Sequence, residues 1–225
     1  FVQLGKANSI SQEKVMGNVT GADPEIRLFS EVASAVLGEY RQRYDAIGAY
    51  DYTDMVVEAR ELLNAERLPD SLQFEHVIVD EFQDLSHVQI EFIETLLEVN
   101  DATLFAVGDD WQSIYGFKGA RPEYFVEFDE YFTPATETRL EENYRCPPAV
   151  VTAGNELIKQ NDMRTMKEVE ATKQSDATPT VHAVNGDSRH RYVQNAALKI
   201  EKLVLDSIMS DDRDPSNIVV IVRNK

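Results

Sequence analysis

The sequence is poor in the residues that build disulfide-rich, zinc-binding and membrane-spanning proteins. Its 225 residues include one cysteine, Cys146, which excludes an internal disulfide and a zinc site made of several cysteines. The four histidines show no spacing typical of a metal site. No apolar run approaches the roughly 20 residues that a membrane-spanning helix needs, and the first residues lack a signal-peptide pattern. We therefore predict a cytoplasmic protein with no membrane partner.

In the most informative segment, residues 76–84 (HVIVDEFQD), an apolar run is followed directly by two adjacent carboxylates. Its apolar run is typical of a buried parallel strand. Asp80 and Glu81 follow at the carboxyl end, where α/β sheets bind ligands. One acid there can hold a hydrated Mg²⁺ on nucleotide phosphates while the other activates water. The alternative is an acidic loop between a strand and a helix, which is the commoner origin of an isolated Asp-Glu pair.

Two more strand ends downstream carry polar groups. Residues 103–107 form a strand-like run that leads into residues 108–120 (GDDWQSIYGFKGA). Residues 138–142 form another, which leads into residues 143–148 (NYRCPP). The three strand ends predict one sheet edge on which functional groups from distant parts of the chain converge.

In their order and spacing, these three blocks resemble motifs II, III and IV of UvrD/Rep-type superfamily 1 helicases. The tryptophan before the glutamine of the second block is most similar to the helicase IV branch, and residues 51–54 (DYTD) fit the segment before motif II. The resemblance is dense over residues 51–161. It implies an ATP-dependent DNA helicase or translocase that couples Mg-ATP hydrolysis to movement on single-stranded DNA.

The resemblance also implies roles for four residues around ATP. Asp80 resembles the acid that organises Mg²⁺, and Glu81 the acid that activates the attacking water. Gln112 resembles the glutamine that senses the γ-phosphate, which suits an amide that can both donate and accept hydrogen bonds. Arg145 resembles an arginine that reaches the γ-phosphate from the second motor domain, where a guanidinium can bind phosphate bidentately.

Two further positions have structural alternatives. Gln83 completes motif II together with Asp84, and a local structural role is as reasonable for both as contact with the cofactor. Tyr144 resembles the residue that stacks on adenine, but it could also be a core tyrosine at a domain junction.

Aromatic residues of the second block predict a surface for single-stranded DNA. Tyr115 and Phe117 are two residues apart, so in an extended segment they point the same way, with Lys118 beside them. Aromatic stacking next to a cation is how proteins grip single strands, and the resemblance implies the same use. Phe117 stands where many family members have tryptophan, and Lys118 where they have arginine. For Trp111 we favour a buried position over a DNA contact.

Basic residues are scarce for a DNA-binding protein. The sequence has 22 lysines and arginines against 40 aspartates and glutamates, a formal net charge of −18, whereas nucleic-acid binders usually present basic surfaces. One explanation is adaptation to a cytoplasm of high salt concentration, where an acidic surface keeps proteins in solution. The other is that the chain does not bind DNA. Because the acids are spread along the chain, we favour the first.

The phosphate-binding loop of the family, G-x-x-x-x-G-K-[ST], has no match in the sequence, since Gly5 and Lys6 are followed by Ala7. We interpret the chain as an internal segment of a helicase that is inactive by itself. The alternative is a non-catalytic helicase-like module that binds DNA or a protein. A sheet that lacks its phosphate-loop strand could also make the segment a homodimer.

We predict an α/β fold with a partial RecA-like parallel sheet and flanking helices. Four parts follow: a helical insertion with its return helix (1–69), a first RecA-like domain (70–161), a linker (162–179) and the start of a second RecA-like domain (180–225). Local signals predict a capping box at Ser86 and Gln89. They also predict several further elements: helices over 32–47, from 51, over 147–161 and over 187–210, and strands at 180–184 and 218–222 that complete a β-α-β unit.

Overall fold

The structure, a computed structural model, describes residues 2–11, 23–65, 72–211 and 214–221. In this part of the chain, helices surround short parallel strands, which confirms the predicted α/β class. The helices are α1 (Val2–Ala7), α2 (Pro24–Ile47), α3 (Tyr52–Ala65), α4 (His87–Asn100), α5 (Glu123–Val126), α6 (Phe128–Tyr131), α7 (Pro148–Ile158) and α8 (Arg189–Asp211). The strands are β1 (His76–Val79), β2 (Thr103–Ala106), β3 (Glu142–Asn143) and β4 (Glu170–Ala171).

Strands β1 and β2 form the parallel pair on which the first two motifs sit. Val79 lies opposite Ala106 in the register, and the backbone N–H of Val107 donates to the carbonyl of Val79 at 2.8 Å. Helix α4 makes the crossover between the two strands. Within the described ranges, no third strand pairs with either of them. The carboxyl ends of both strands therefore meet at one edge, which places motifs II and III side by side.

The hydrophobic core lies directly beneath this edge. Phe82 is fully buried and forms edge-to-face contacts with Phe128 and Phe132, at ring-centroid distances of 5.5 and 5.8 Å. Ile90 and Ile93 of α4 complete the buried cluster together with Tyr124. Aromatic pairs in this geometry stabilise a core beyond their buried area. The first residue after the two carboxylates thus anchors the motif II turn.

Helix α4 begins and ends as its sequence predicts. The side-chain carbonyl of Gln89 accepts a hydrogen bond from the backbone N–H of Ser86 at 2.9 Å, which confirms the capping box. The helix ends at Asn100, and Asp101 takes a left-handed backbone conformation with φ of 51°. Helices α2, α3, α7 and α8 also overlap the predicted helices, although α2 begins at Pro24 and not at position 32, and α7 ends at Ile158.

Several predicted strands are wrong. Residues 180–184 form no strand, and neither do residues 218–221, while position 222 lies outside the described residues. The predicted β-α-β unit is therefore reduced to α8. The strand predicted over 138–142 shrinks to β3, which pairs with β4 inside the predicted linker. A strand needs a neighbouring strand to hydrogen-bond its backbone, and these apolar runs stay exposed, as Val181 and Leu140 show.

The domain limits at 69, 161 and 179 stay a prediction. Among the helices in the described ranges, none is both long and apolar enough to cross a membrane.

Candidate functional site

Motif II forms a tight turn immediately after β1. Glu81 has a left-handed backbone, with φ of 51° and ψ of 41°, which is uncommon for a residue other than glycine. Its backbone N–H donates to Asp80 Oδ1 at 2.9 Å. A 3₁₀ turn over Phe82–Asp84 follows. This turn buries Phe82 and Gln83 while Asp80 and Glu81 stay exposed at the sheet edge.

Gln83 joins the two motifs through its side-chain amide. It is 1% exposed. Its Nε2 donates to Glu81 Oε2 at 2.8 Å, and its Oε1 accepts from the backbone N–H of Asp109 at 2.9 Å. The hydroxyl of Ser113 donates to its backbone carbonyl at 3.4 Å. One buried amide thus links the exposed carboxylate of motif II to the backbone of motif III.

Gly108 leaves the space that this amide needs. A Cβ at position 108 would lie 2.5 Å from Gln83 Oε1 and 3.0 Å from Cε2 of Phe125. Both distances are shorter than ordinary van der Waals contact. A larger residue at position 108 would therefore force the Gln83 side chain to move.

Gln112 is held by the aspartate that begins its own turn. The turn spans Asp110–Gln112, and Gln112 Nε2 donates to Asp109 Oδ2 at 2.7 Å. Burial alone would raise the pKa of Asp109, but hydrogen bonds from Lys167 and Gln112 outweigh it and hold the pKa below its ordinary value. Gln112 keeps one side-chain N–H and its carbonyl oxygen for other partners.

Thr165 and Lys167 bind the carboxylates of Asp109 and Asp110 at this turn, although neither was among the predicted site residues. Lys167 Nζ lies 2.6 Å from Asp109 Oδ1 and 3.3 Å from Asp110 Oδ1. The backbone N–H and the hydroxyl of Thr165 donate to the carboxylate of Asp110 at 2.7 and 2.9 Å. No sequence signal pointed to them, because they lie in an aperiodic segment 55 residues or more away.

Trp111 packs against the same segment. Its indole N–H donates to the carbonyl of Thr165 at 3.4 Å, and Lys167 Nζ lies 4.9 Å from its ring centroid. The side chain is half-buried because it packs against residues 165–167.

Tyr115, Phe117 and Lys118 lie together on the surface, but the extended backbone predicted for this segment is wrong. Residues Gly116–Lys118 form a 3₁₀ turn and not an extended segment. The two ring centroids are 6.0 Å apart with their planes at 55°, and Lys118 Nζ lies 4.3 Å from the Tyr115 centroid. The exposed aromatics therefore form a tilted pair beside a cation and not a flat platform.

Residues 143–148 are held by hydrogen bonds within their own segment. Asn143 Oδ1 accepts from the backbone N–H groups of Arg145 and Cys146 at 3.0 and 2.8 Å. In the described part of the chain, no hydrogen bond or ion pair joins the Arg145 guanidinium to the motif II or motif III residues. Tyr144 is 72% exposed, which excludes a core position. Its hydroxyl donates to Glu142, and this hydrogen bond raises the pKa of Tyr144.

Asp80 has the chemistry of a magnesium ligand that acts together with a nucleotide. Asp80 Oδ1 accepts from the N–H of Glu81, and Oδ2 makes no hydrogen bond to a described residue. Over the described ranges, no group of three acidic, histidine or cysteine side chains forms a metal cage. Mg²⁺ is commonly held by one or two carboxylates together with phosphates and water, so the residues present fit that mode of binding.

Sequence comparisons with known proteins identify the family of this chain and several relatives. The sequence model of the UvrD/REP helicase N-terminal domain matches residues 4–133. The chain is 36% identical to DNA helicase II of Escherichia coli over 133 residues, which cover 58% of this chain and 18% of that protein. It is 37% identical over 130 residues to DNA helicase II of Haemophilus influenzae, covering 56% and 17% of the two chains.

A longer match extends beyond motif III. The chain is 28% identical over 190 residues to ATP-dependent DNA helicase PcrA of Staphylococcus aureus, which covers 82% of this chain and 24% of that protein. The chain thus spans less than a quarter of the length of these relatives. Because the family match covers more than half of the chain, including residues 76–84 and 108–120, this protein belongs to the UvrD/REP helicase N-terminal domain family.

Proposed function

We propose that this chain is part of an ATP-dependent DNA helicase or translocase in which Mg-ATP hydrolysis drives movement on single-stranded DNA. One observation carries the proposal. The carboxylates after β1 and the glutamine after β2 belong to one hydrogen-bond network, which runs from Glu81 through Gln83 and Asp109 to Gln112. The phosphate loop and the remaining motifs would come from other parts of a protein as long as the relatives.

Within this network the two carboxylates have different tasks. Asp80, exposed at the strand end, would hold Mg²⁺ on the ATP phosphates, and the bound ion would offset the charge that develops during phosphoryl transfer. Glu81 would accept a proton from the attacking water. Its hydrogen bond from Gln83 orients the carboxylate while one oxygen stays available for that water. A site with separate metal-holding and water-activating acids suits hydrolysis better than simple nucleotide storage.

Gln112, Arg145 and Tyr144 would complete the ATP site. Gln112 would contact the γ-phosphate with its remaining N–H. Arg145 and Tyr144 are exposed, and among the described residues neither makes a hydrogen bond to Asp80 or Glu81, so we propose that they reach the γ-phosphate and the adenine when nucleotide binding closes a cleft between two RecA-like domains. A guanidinium that is always charged suits this late contact.

The exposed pair of Tyr115 and Phe117 would stack on bases of single-stranded DNA, and Lys118 would contact the phosphate backbone. Stacking on each base contributes about 1–3 kcal/mol. The tilt between the rings suits two bases that are not coplanar. Because this segment continues directly from Gln112, a movement of the sensor would alter the grip on DNA.

Three further parts of the proposal concern the family branch, the cellular environment and the oligomeric state. A place in the helicase IV branch rests on Trp111. Adaptation to high salt rests on the net charge of −18, and the cytoplasmic location is carried over from the sequence prediction. A homodimer of this segment rests on the exposed apolar face of the β1–β2 pair, which carries Ile78 and Phe105.

The test is Mg-ATP hydrolysis in molar KCl, with and without single-stranded DNA, by two proteins: the 225-residue chain and the full-length protein that contains it. We expect hydrolysis that DNA stimulates in the full-length protein and no turnover by the chain alone. Single-stranded DNA that binds the full-length protein without any ATP hydrolysis would instead support the non-catalytic alternative.

A further inference from the structure

Lys167 binds the carboxylate that in turn binds Gln112. Its side chain is 12% exposed, and its ammonium group lies 2.6 Å from Asp109 Oδ1. The other oxygen of that carboxylate, Oδ2, accepts the hydrogen bond from Gln112 Nε2 at 2.7 Å. Oδ1 therefore binds the lysine and also accepts from the backbone N–H of Trp111 at 3.1 Å, while Oδ2 binds the glutamine. A carboxylate held at both oxygens has one orientation, which it passes on to the amide.

Asp110 fixes the position from which Lys167 acts. Its carboxylate is 2% exposed and accepts two hydrogen bonds from Thr165, in addition to its 3.3 Å contact with Lys167. Two adjacent carboxylates this close together repel each other, and burial makes the charges costly unless a cation is present. Lys167 contacts both, so it is the cation that allows Asp109 to stay charged beside the sensor.

We propose that Lys167 is a positioning residue that orients the side-chain amide of Gln112 through Asp109. With one N–H of Gln112 bound to Asp109, the second N–H and the carbonyl oxygen are directed away from the carboxylate, toward a ligand. Without the lysine, Asp109 would present an unbalanced charge next to the phosphates and would no longer fix the amide. This inference rests on the proposed function, because it assigns a task to the sensor of that site.

Enzyme kinetics with the full-length protein test this role. Lys167→Met removes the charge and keeps the side-chain length. Lys159→Met is the matched control, since Lys159 is exposed and, among the described residues, forms an ion pair with Glu156 alone. We expect Lys167→Met to lower kcat for DNA-stimulated ATP hydrolysis about tenfold, the size of one lost charged hydrogen bond, with KM for ATP little changed. Lys167→Arg recovers most of that loss, and the control matches the wild type.

A double substitution separates positioning from a general loss of structure. If Lys167 acts through Gln112, Lys167→Met adds nothing to Gln112→Ala, so the double variant has the rate of Gln112→Ala alone. Additive losses would overturn the proposal, and so would a wild-type kcat in Lys167→Met.

Thermal unfolding of the same proteins gives a readout that does not depend on catalysis. Lys167→Met and Asp109→Asn are combined in a double-mutant cycle. We expect the double variant to be more stable than Lys167→Met, because a neutral amide at position 109 leaves one fewer charge unpaired. This comparison of stabilities remains informative if Lys167→Met alone is strongly destabilised, because the expected result is a recovery of stability in the double variant. Zero coupling overturns the inference whatever the ATPase result. A wild type that does not hydrolyse ATP contradicts the proposed function only, and the unfolding cycle still tests the Lys167–Asp109 contact on which the role of Lys167 depends.

Discussion

The side-chain carbonyl of Gln83 accepts a hydrogen bond from the backbone N–H of Asp109 at 2.9 Å, across 26 residues of sequence. The other end of the same amide donates to Glu81. A buried glutamine thus connects the carboxylate of Glu81, which we propose activates water, to the backbone just before the Asp110–Gln112 turn. A change on one side of the site can reach the other through a single side chain.

The first prediction concerns this amide. Gln83→Met keeps the length of the side chain but leaves the Asp109 N–H buried without an acceptor, so we expect the variant to lose about 1–3 kcal/mol of unfolding free energy. Urea titration of the 225-residue chain measures this loss. Gln174→Met, at an exposed position, is the control and should match the wild type. Equal stability of both variants would show that the Gln83 bridge contributes nothing.

The second prediction compares two glycines. Gly108→Ala places a methyl group 2.5 Å from Gln83 Oε1 and 3.0 Å from Phe125, so we expect a destabilisation of about 1–3 kcal/mol from overpacking. Gly154→Ala in α7 meets no atom within 4 Å and should stabilise the chain by about 0.5–1 kcal/mol, since glycine is unfavourable inside a helix. Denaturant unfolding distinguishes the two signs. A stabilised Gly108→Ala would contradict the packing at motif III.

The third prediction concerns acid stability at the junction of α1 and α3. Burial alone would raise the pKa of Asp51, but hydrogen bonds from Lys6, the Asp54 backbone and Tyr40 outweigh it and lower the pKa to about 2. Because the folded-state pKa is lowered from 3.8, the stabilisation from Asp51 is complete above about pH 4 and is lost as the pH falls toward 2.

Asp51→Asn should therefore flatten the fall in unfolding free energy between about pH 4 and about pH 2, and lower the stability above that range. Asp176→Asn, at an exposed position, should leave the pH profile of the wild type unchanged. If the unfolding free energy of Asp51→Asn fell with pH as steeply as that of the wild type, the contacts of Asp51 would not favour its charged form.

The fourth prediction follows from the net charge of −18. If the acidic surface is an adaptation to high salt, screening of its self-repulsion should raise the unfolding temperature of the chain between dilute buffer and molar KCl. Differential scanning calorimetry at both salt concentrations checks this. The same unfolding temperature in both would contradict the high-salt explanation.

The sequence predicts those parts of the fold that have local causes. Strands β1 and β2 are short apolar runs, and α4 begins at the capping box of Ser86 and Gln89, so both features follow from neighbouring residues. The carboxylates and Gln112 could be placed at one edge because parallel strands share their carboxyl ends. Each of these signals spans only a few residues.

Two of the features that were not predicted depend on distant residues, and a third depends on the backbone freedom of one glycine. Lys167 contacts Asp109 across 58 positions, and no sequence pattern near either residue predicts this contact. Residues 180–184 have the composition of a strand, but they lack a neighbouring strand within the described residues. The 3₁₀ turn that tilts Tyr115 and Phe117 was missed because alternating aromatics suggest an extended segment, whereas the intervening Gly116 also permits a turn.

The most direct test of the central claim is the effect of Glu81→Gln on DNA-stimulated Mg-ATP hydrolysis by the full-length protein in molar KCl. The amide has nearly the same shape as the carboxylate but cannot accept a proton from water. We expect kcat to fall by about 100-fold or more, in line with the usual contribution of a general base, while ATP binding is retained. A variant that hydrolyses ATP at the wild-type rate would contradict the assignment of Glu81, and with it the account of this site as an ATPase centre.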